Sequence, residues 1–211
     1  MTNNEERALA LCALVTENLR KRGFEAQFVA KKEEVVPLVQ KLIPADHLVS
    51  WGGSKTMAEC GVMDMVKKNY KCVDRDTGKN PAEVLELRRQ GLLADTFLMS
   101  VNAMTVDGQL LNIDGTGNRA AALVFGPRQV IVVAGVNKIA KTLDAAWERA
   151  RTVAAPTNIM RFKQKNTPCL KTGMCWDCNS PDSICNQFVR IRRCNPAGRI
   201  KVILVAEDLG Y

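Results

Sequence analysis

A chain of 211 residues with 46% hydrophobic side chains suits one domain with a sizeable buried core. Its net charge of +8 is uneven, with 20 Lys and Arg against 18 Asp and Glu up to residue 150 and 10 against 4 beyond it, yet no stacking aromatics interleave with those bases, so nucleic acid is not the expected partner. Charged residues fill the N-terminal MTNNEERALALCALVTENLRKRG, where an export signal would be apolar, and no apolar run has membrane-spanning length, which excludes a membrane protein and makes the cytoplasm the expected location.

Helices and strands alternate along the chain. Ala8, Leu9, Cys12, Val15 and Leu19 form a helical stripe that Gly23 is placed to end. FEAQFVA alternates like a strand, EEVVPLVQKLI reads as a helix stopped at Pro44, and HLVSW (47–51) is a short apolar strand. The loop GGSKT leads into a predicted helix from about Met57 to Asn69, with Thr56 and Glu59 at capping-box spacing. KCVD is a brief strand, PAEVLELRRQG a helix opened by Pro81 and closed by Gly91, and TFLMS (96–100) another strand. Asp107-Gly108 between two strand-like runs predicts a hairpin. DGTGNR precedes a short helix, RQVIVVAG (128–135) is a buried strand, KIAKTLDAAWERAR a helix, and RIKVILVAEDLGY the last strand. Helices between buried strands predict an α/β fold, a three-layer open and mostly parallel sheet with one β-hairpin. The expected divisions are 1–160 for the α/β domain, 161–195 for a Cys-rich insertion and 196–211 for the returning strand.

Three loops that follow strands carry anion-binding chemistry. In the first, Gly52 and Gly53 permit close backbone approach and Ser54, Lys55 and Thr56 supply donors, although the spacing is not that of a Walker A loop. In the second, Asp114, Gly115, Thr116, Gly117, Asn118 and Arg119 gather backbone and side-chain donors, with Arg119 suited to a carboxylate or phosphate unless Asp114 claims it. Lys138, at the start of the next helix, adds a third positive group. On one rim of a parallel sheet these loops would frame a pocket for a small anionic or phosphorylated ligand.

Cys169, Cys175, Cys178 and Cys185 follow the pattern C-x5-C-x2-C-x6-C in a segment without apolar periodicity. Thiols in a reducing compartment with this clustering point to a metal centre rather than disulfides. One CxxC pair is fewer than structural zinc sites usually use, and the spacing also differs from the bacterial ferredoxin run, so zinc and an iron–sulfur cluster both stand. Arg161, Lys163, Lys165, Lys171, Arg190, Arg192 and Arg193 are placed to offset thiolate charge. Cys12, Cys60 and Cys72 read as core residues, while Cys194 is a spare ligand or a free thiol, and Trp176 either shields the centre or packs the loop.

VSWGGSKT, SVNAMTVDGQLLNIDGTGNR and VIVVAGVNKI, in this order, resemble the lactate-utilisation (LUD) domain family over about residues 5–160, and the cysteine-bearing tail is similar to that of a subgroup of its members. The resemblance implies kinship with ribose-5-phosphate isomerase, glucosamine-6-phosphate deaminase and the CoA transferases, with ligands at the carboxyl ends of the strands. It tips the metal centre towards a [4Fe–4S] cluster, with zinc as the alternative. Related isomerases carry a catalytic Asp where this chain has Asn102, an amide that is no acid or base. No glutamate matches the CoA-transferase nucleophile, and His47, the single histidine, reads as structural. The expected function is a redox-associated component of lactate or small hydroxy-acid utilisation, with partner subunits because no flavin or nicotinamide fingerprint is present. The alternatives are a ligand-binding module with structural zinc, or an isomerase- or CoA-transferase-like enzyme, any of them compatible with a homo-oligomer.

Overall fold

Continuous apolar runs, which only a sheet covered on both faces can bury, account for the centre of the molecule. The computed structural model describes residues 1–211. Helix α1 (Asn3–Lys21) opens with a capping box between Thr2 and Glu5 and leads to β1 (Glu25–Val29). A 3-10 turn precedes α2 (Val35–Leu42), and β2 (Val49–Trp51), α3 (Lys55–Glu59), α4 (Val62–Asn69) and β3 (Cys72–Val73) follow. After a second 3-10 turn at Arg75–Thr77 come α5 (Pro81–Gly91), β4 (Thr96–Met99), β5 (Ala103–Thr105), β6 (Leu110–Asp114), α6 (Asn118–Val124) and β7 (Gln129–Gly135). The chain ends through β8 (Ile139–Ala140), α7 (Leu143–Arg149), a π turn (Ala150–Ala154), α8 (Ala155–Ile159), α9 (Pro168–Thr172), β9 (Gln187–Ile191) and β10 (Ile200–Val205).

Six strands form a parallel sheet in the order β1-β10-β7-β4-β2-β3. Alternate residues of β7 divide between its faces: Val130, Val132 and Ala134 pack with Cys12, Val15 and Leu19 of α1 and Leu123 of α6, whereas Ile131 and Val133 pack with Val35 and Val39 of α2 and Val62 and Val66 of α4. Each such fully buried aliphatic side chain contributes about 1.5–3 kcal/mol. The expected three-layer parallel architecture is present. Because all six strands run the same way, their carboxyl ends share one rim.

The rest of the chain builds a second sheet, in the order β8-β5-β6-β9, where β5 and β6 form the expected hairpin. Ala103, Leu111 and Ile113 of this sheet pack on Ala146 and Ala150.

Four local expectations change. The helix from Met57 to Asn69 is broken at Gly61, whose φ of +72° ends α3 and starts α4. Ser54, not Thr56, caps α3 by accepting a bond from Met57 N–H, and Thr56 is buried. The KIAKTLDAAWERAR helix starts only at Leu143, capped by Thr142, because Ile139 and Ala140 pair with β5. It then runs on through the π turn to Ile159, the widened turn preceding Pro156, which has no N–H to return. Strand β9 lies within the span read as a Cys-rich insertion and pairs with β6.

The hairpin turn is pinned to α1. Gly108 has φ +86°, a Cβ there would lie 2.8 Å from backbone atoms of Asn18 and Leu19, and Asn18 Nδ2 donates to Val106 O. Gly108→Ala is therefore expected to cost about 2 kcal/mol or more through backbone strain and the forced separation from α1. For a chain of this size that is a fall of about 4–8 °C in Tm by thermal denaturation.

Candidate functional site

The rim formed by the strand carboxyl ends presents Gly52 and Gly53 after β2, Arg75 after β3, Ser100 and Asn102 after β4, Lys138 after β7 and residues 206–211 after β10. From the hairpin turn β6 runs back towards this rim, so the loop after it meets Gly53 there. Two adjoining cavities result, of about 140 Å³ and about 40 Å³, sharing Gly53, Arg119, Asn158 and Arg161.

Asp114 organises the loop after β6. Its carboxylate accepts bonds from the N–H groups of Thr116, Gly117 and Ala120 at 3.2, 3.1 and 3.0 Å, and stands 3.6 Å from Arg119 Nε. Burial alone would raise its pKa, but Arg119 and the three N–H donors outweigh that and hold it below the ordinary carboxylate range. It is an ionised turn-former with no free proton to give. The backbone donors expected to bind a ligand here are occupied by the protein's own carboxylate. Arg119 likewise donates to Ile113 O at 2.6 Å and to Asn102 Oδ1 at 3.1 Å, so Asn102 serves as a fixed acceptor.

The larger cavity owes its character to arginines. Arg75, Arg88, Arg119 and Arg161 line it with Asp114 as the one carboxylate, leaving an excess of three positive charges. The Nε atoms of Arg75 and Arg88 are buried without a hydrogen-bond partner, Arg75 lying 3.6 Å from Asp76 and Arg88 reaching Thr116 Oγ1 through its Nη1. Arg161 rests on the Phe162 ring and forms no ion pair. The glycines of the first loop admit these side chains: a Cβ at Gly53 would lie 2.6 Å from the Arg75 guanidinium, and one at Gly52 would lie 3.0 Å from Arg119 Cδ. Such a cluster of guanidinia, three half-buried and Arg161 exposed, complements a phosphate or carboxylate group.

Lys138 lines the smaller cavity. It is 3% exposed, and its Nζ is held by Thr56 Oγ1 at 2.9 Å and Ser100 Oγ at 3.0 Å, with no carboxylate partner. Burial lowers its pKa to about 7; Arg149 and Arg119 act in the same direction, while Glu59 and Cys60 oppose them.

The four cysteines of the C-x5-C-x2-C-x6-C segment line a single cavity of about 40 Å³, walled by Pro156, Ile159, Trp176, Ile184 and Phe188. Burial raises the Cys185 thiol to about 11, and Cys175, Cys169 and Cys178 all lie near enough to push it the same way. No three His, Cys, Asp or Glu side chains in the chain converge at the spacing a single metal ion requires. Ile184 lines this cavity and the arginine-lined one, so the two are neighbours. Trp176 forms the outer wall, 62% exposed, with its indole N–H donated to Thr172 Oγ1.

A model of the LUD domain matches residues 12–205, most of the chain. The chain belongs to the LUD domain family. The crystal structure of a DUF162 family protein from Deinococcus radiodurans is similar to this LUD domain with a TM-score of 0.54 at 13% identity, covering 94% of this chain and 98% of that one. Shorter matches reach eIF2B beta and eIF2B delta from Chaetomium thermophilum, with TM-scores of 0.34 and 0.32, identities of 18% and 20%, and coverage of 54% and 56% of this chain and 40% and 54% of theirs. None of the curated proteins matches.

Within this LUD domain the structure brings together Gly53, Ser54, Lys55, Thr56, Asp114, Gly115, Thr116, Asn118, Arg119 and Lys138 around the two cavities, with Gly52 behind Arg119 and Gly117 as the left-handed cap of α6. Lys138 is not the solvated helix-start residue its position suggests but a buried group in a 3-10 turn. Arg161 lines the arginine-rich cavity rather than that of the cysteines; Arg190 bonds Gln109, Lys165 pairs with Asp182, and Arg151 is the cation at the cysteine cavity. Cys194 is buried in the main core, and His47 bonds Thr96 at the opposite end of the sheet. Arg75, Arg88, Ser100, Asn158 and Tyr211 were missed. For Arg75 alone a signal existed, since it directly follows the KCVD strand.

The state of Lys138 has a measurable consequence. An unfolded lysine keeps its proton to a pH of about 10.4, whereas the folded one releases it near 7. Between those values the unfolded chain binds the extra proton, so raising the pH relieves the cost of burying the charge, a cost carried in full below pH 7. The Tm difference between Lys138→Met and the unmodified chain is expected to be more favourable to the variant at pH 6 than at pH 9; a difference independent of pH would mean that the amine is solvated.

Proposed function

We propose that this LUD domain binds a small anionic or phosphorylated ligand in its arginine-lined cleft and carries a [4Fe–4S] cluster on Cys169, Cys175, Cys178 and Cys185, acting as a redox-associated component in the utilisation of lactate or another small hydroxy acid. The observation that carries this reading is the single residue, Ile184, between a cavity lined by four cysteines and a cleft lined by four arginines and one carboxylate, Asp114. Four soft sulfur donors within largely apolar walls suit an iron–sulfur cluster, which when bound supplies one-electron transfer. The arginines would hold the ligand's negative group, and Asn102 and Asp114 would hold Arg119 in place. Redox partner subunits are expected, because the chain has no flavin or nicotinamide fingerprint of its own. The family's name supports lactate or a related hydroxy acid as the substrate class.

Two measurements test the parts separately. Protein purified anaerobically is expected to contain about four irons and four acid-labile sulfides per chain; equimolar zinc without sulfide would defeat the redox reading and leave a structural metal loop. Phosphate and lactate are expected to raise the Tm of the purified chain, since a ligand bound only by the folded state stabilises it. That rise should fall markedly in Arg75→Ala and Arg161→Ala, while an unchanged rise would place the anion elsewhere.

A further inference from the structure

As a cation for an anionic ligand, Lys138 is poorly built. Its ammonium would lie among groups that do not neutralise it: Arg119 from α6 and Arg149 from α7 both face it, and its two partners are hydroxyls. The nearby carboxylate of Glu59 is bonded to Gly210 N–H at 2.7 Å. A Cβ at Gly210 would overlap Thr56 Oγ1 and come within 3.2 Å of Nζ, so the stretch after β10 closes over the amine, and Lys138 is buried. On its other side the amine lines a cavity with Ser100, Asn102 and Arg119 that opens to the arginine cleft.

A neutral amine fits this setting. A neutral amine keeps two N–H groups, one donated to the Thr56 hydroxyl and one to the Ser100 hydroxyl, and has its lone pair left over. A buried lysine relieved of its proton is a nucleophile for carbonyl carbon. Arg119 and Arg161 line both cavities, so a small anion held by them lies next to the cavity that Lys138 lines.

We propose that Lys138 is a carbonyl-attacking amine and that the ligand class of this site is a small anion bearing an aldehyde or ketone close to its charged group, as in a 2-oxo acid or a phosphorylated ketose. The proposal rests on the reading of the cleft as an anion site. The nitrogen lone pair forms a bond to the carbonyl carbon while the C=O π pair moves to oxygen, which takes up a proton; nitrogen gives up one proton, and the hydroxyl leaves with another proton as water. The product is a protonated imine at Lys138. One water is released per ligand, and nothing is oxidised or reduced. A 2-oxo acid is the oxidised counterpart of a 2-hydroxy acid, so this chemistry would place the ligand on the product side of hydroxy-acid oxidation.

The test uses the full chain, incubated anaerobically with pyruvate and, in parallel, with dihydroxyacetone phosphate, each with cyanoborohydride to reduce an imine to a stable secondary amine. Peptide mapping by mass spectrometry is expected to place one reduced ligand on Lys138, and the arm that labels identifies carboxylate or phosphate as the gripped group. The label at this position should be lost in Lys138→Arg and Lys138→Met. A chain whose Tm rises with pyruvate or phosphate but which gains no adduct at Lys138, or gains only labels scattered over exposed lysines, overturns the amine and leaves the anion cleft standing. An adduct at Lys138 without any anion-induced rise in Tm supports the amine and overturns the cleft as the gripping element. Neither adduct nor rise in Tm overturns both.

Discussion

At the end of β6 the Asp114 carboxylate turns into the loop that follows it, accepts three backbone N–H groups and stands beside Arg119. An ionised side chain that is buried needs this density of donors, and the donors in turn have no other acceptor. The conformation of residues 115–120 is thereby fixed, and with it the start of α6, the position of Arg119 over Gly52, and the Thr116 hydroxyl that receives Arg88. Asn186, just beyond the last cysteine of the quartet, is tied to the same loop through Asp114 O and Gly115 O. The arginine-lined cleft and the cysteine cavity both adjoin the loop that this one internal ion holds in shape.

A glycine-rich turn after a β-strand is often read as a place where a ligand meets bare backbone. Here the space left by Gly52 and Gly53 is filled by the chain's own arginines. The donors that face the cavity are therefore side chains with full charges, which reach further than main-chain dipoles and present paired N–H groups. The accompanying cost is desolvation of Arg75, whose Nε lies 3.6 Å from the Asp76 carboxylate but makes no hydrogen bond within the protein.

The sheet was legible because its strands are apolar throughout, and β7 and β10 could not be mistaken for surface elements. Asp107-Gly108 marked the hairpin for an equally local reason, a positive φ that glycine alone accepts readily. What was not legible depended on tertiary contact. Strand β9 alternates half-buried and exposed residues at a sheet edge and has little apolar signal of its own. Ile139 and Ala140 carry good helical spacing but find a strand partner in β5. The arginines of the cleft come from a 3-10 turn, from α5, from the start of α6 and from the segment after α8, so no window of sequence contains them. The burial of Lys138 comes from Thr56, Ser100 and Gly210, three separate stretches that meet only when the sheet forms.

Gly115 lies against the backbone of Ile184, where a Cβ would stand 3.1 Å from its Cα. A side chain at 115 would push the Ile184 main chain outward by a few tenths of an ångström, and because the obstacle is backbone the whole segment must shift with it. The bare position therefore sets how closely the stretch that carries Cys185 can approach the loop after β6.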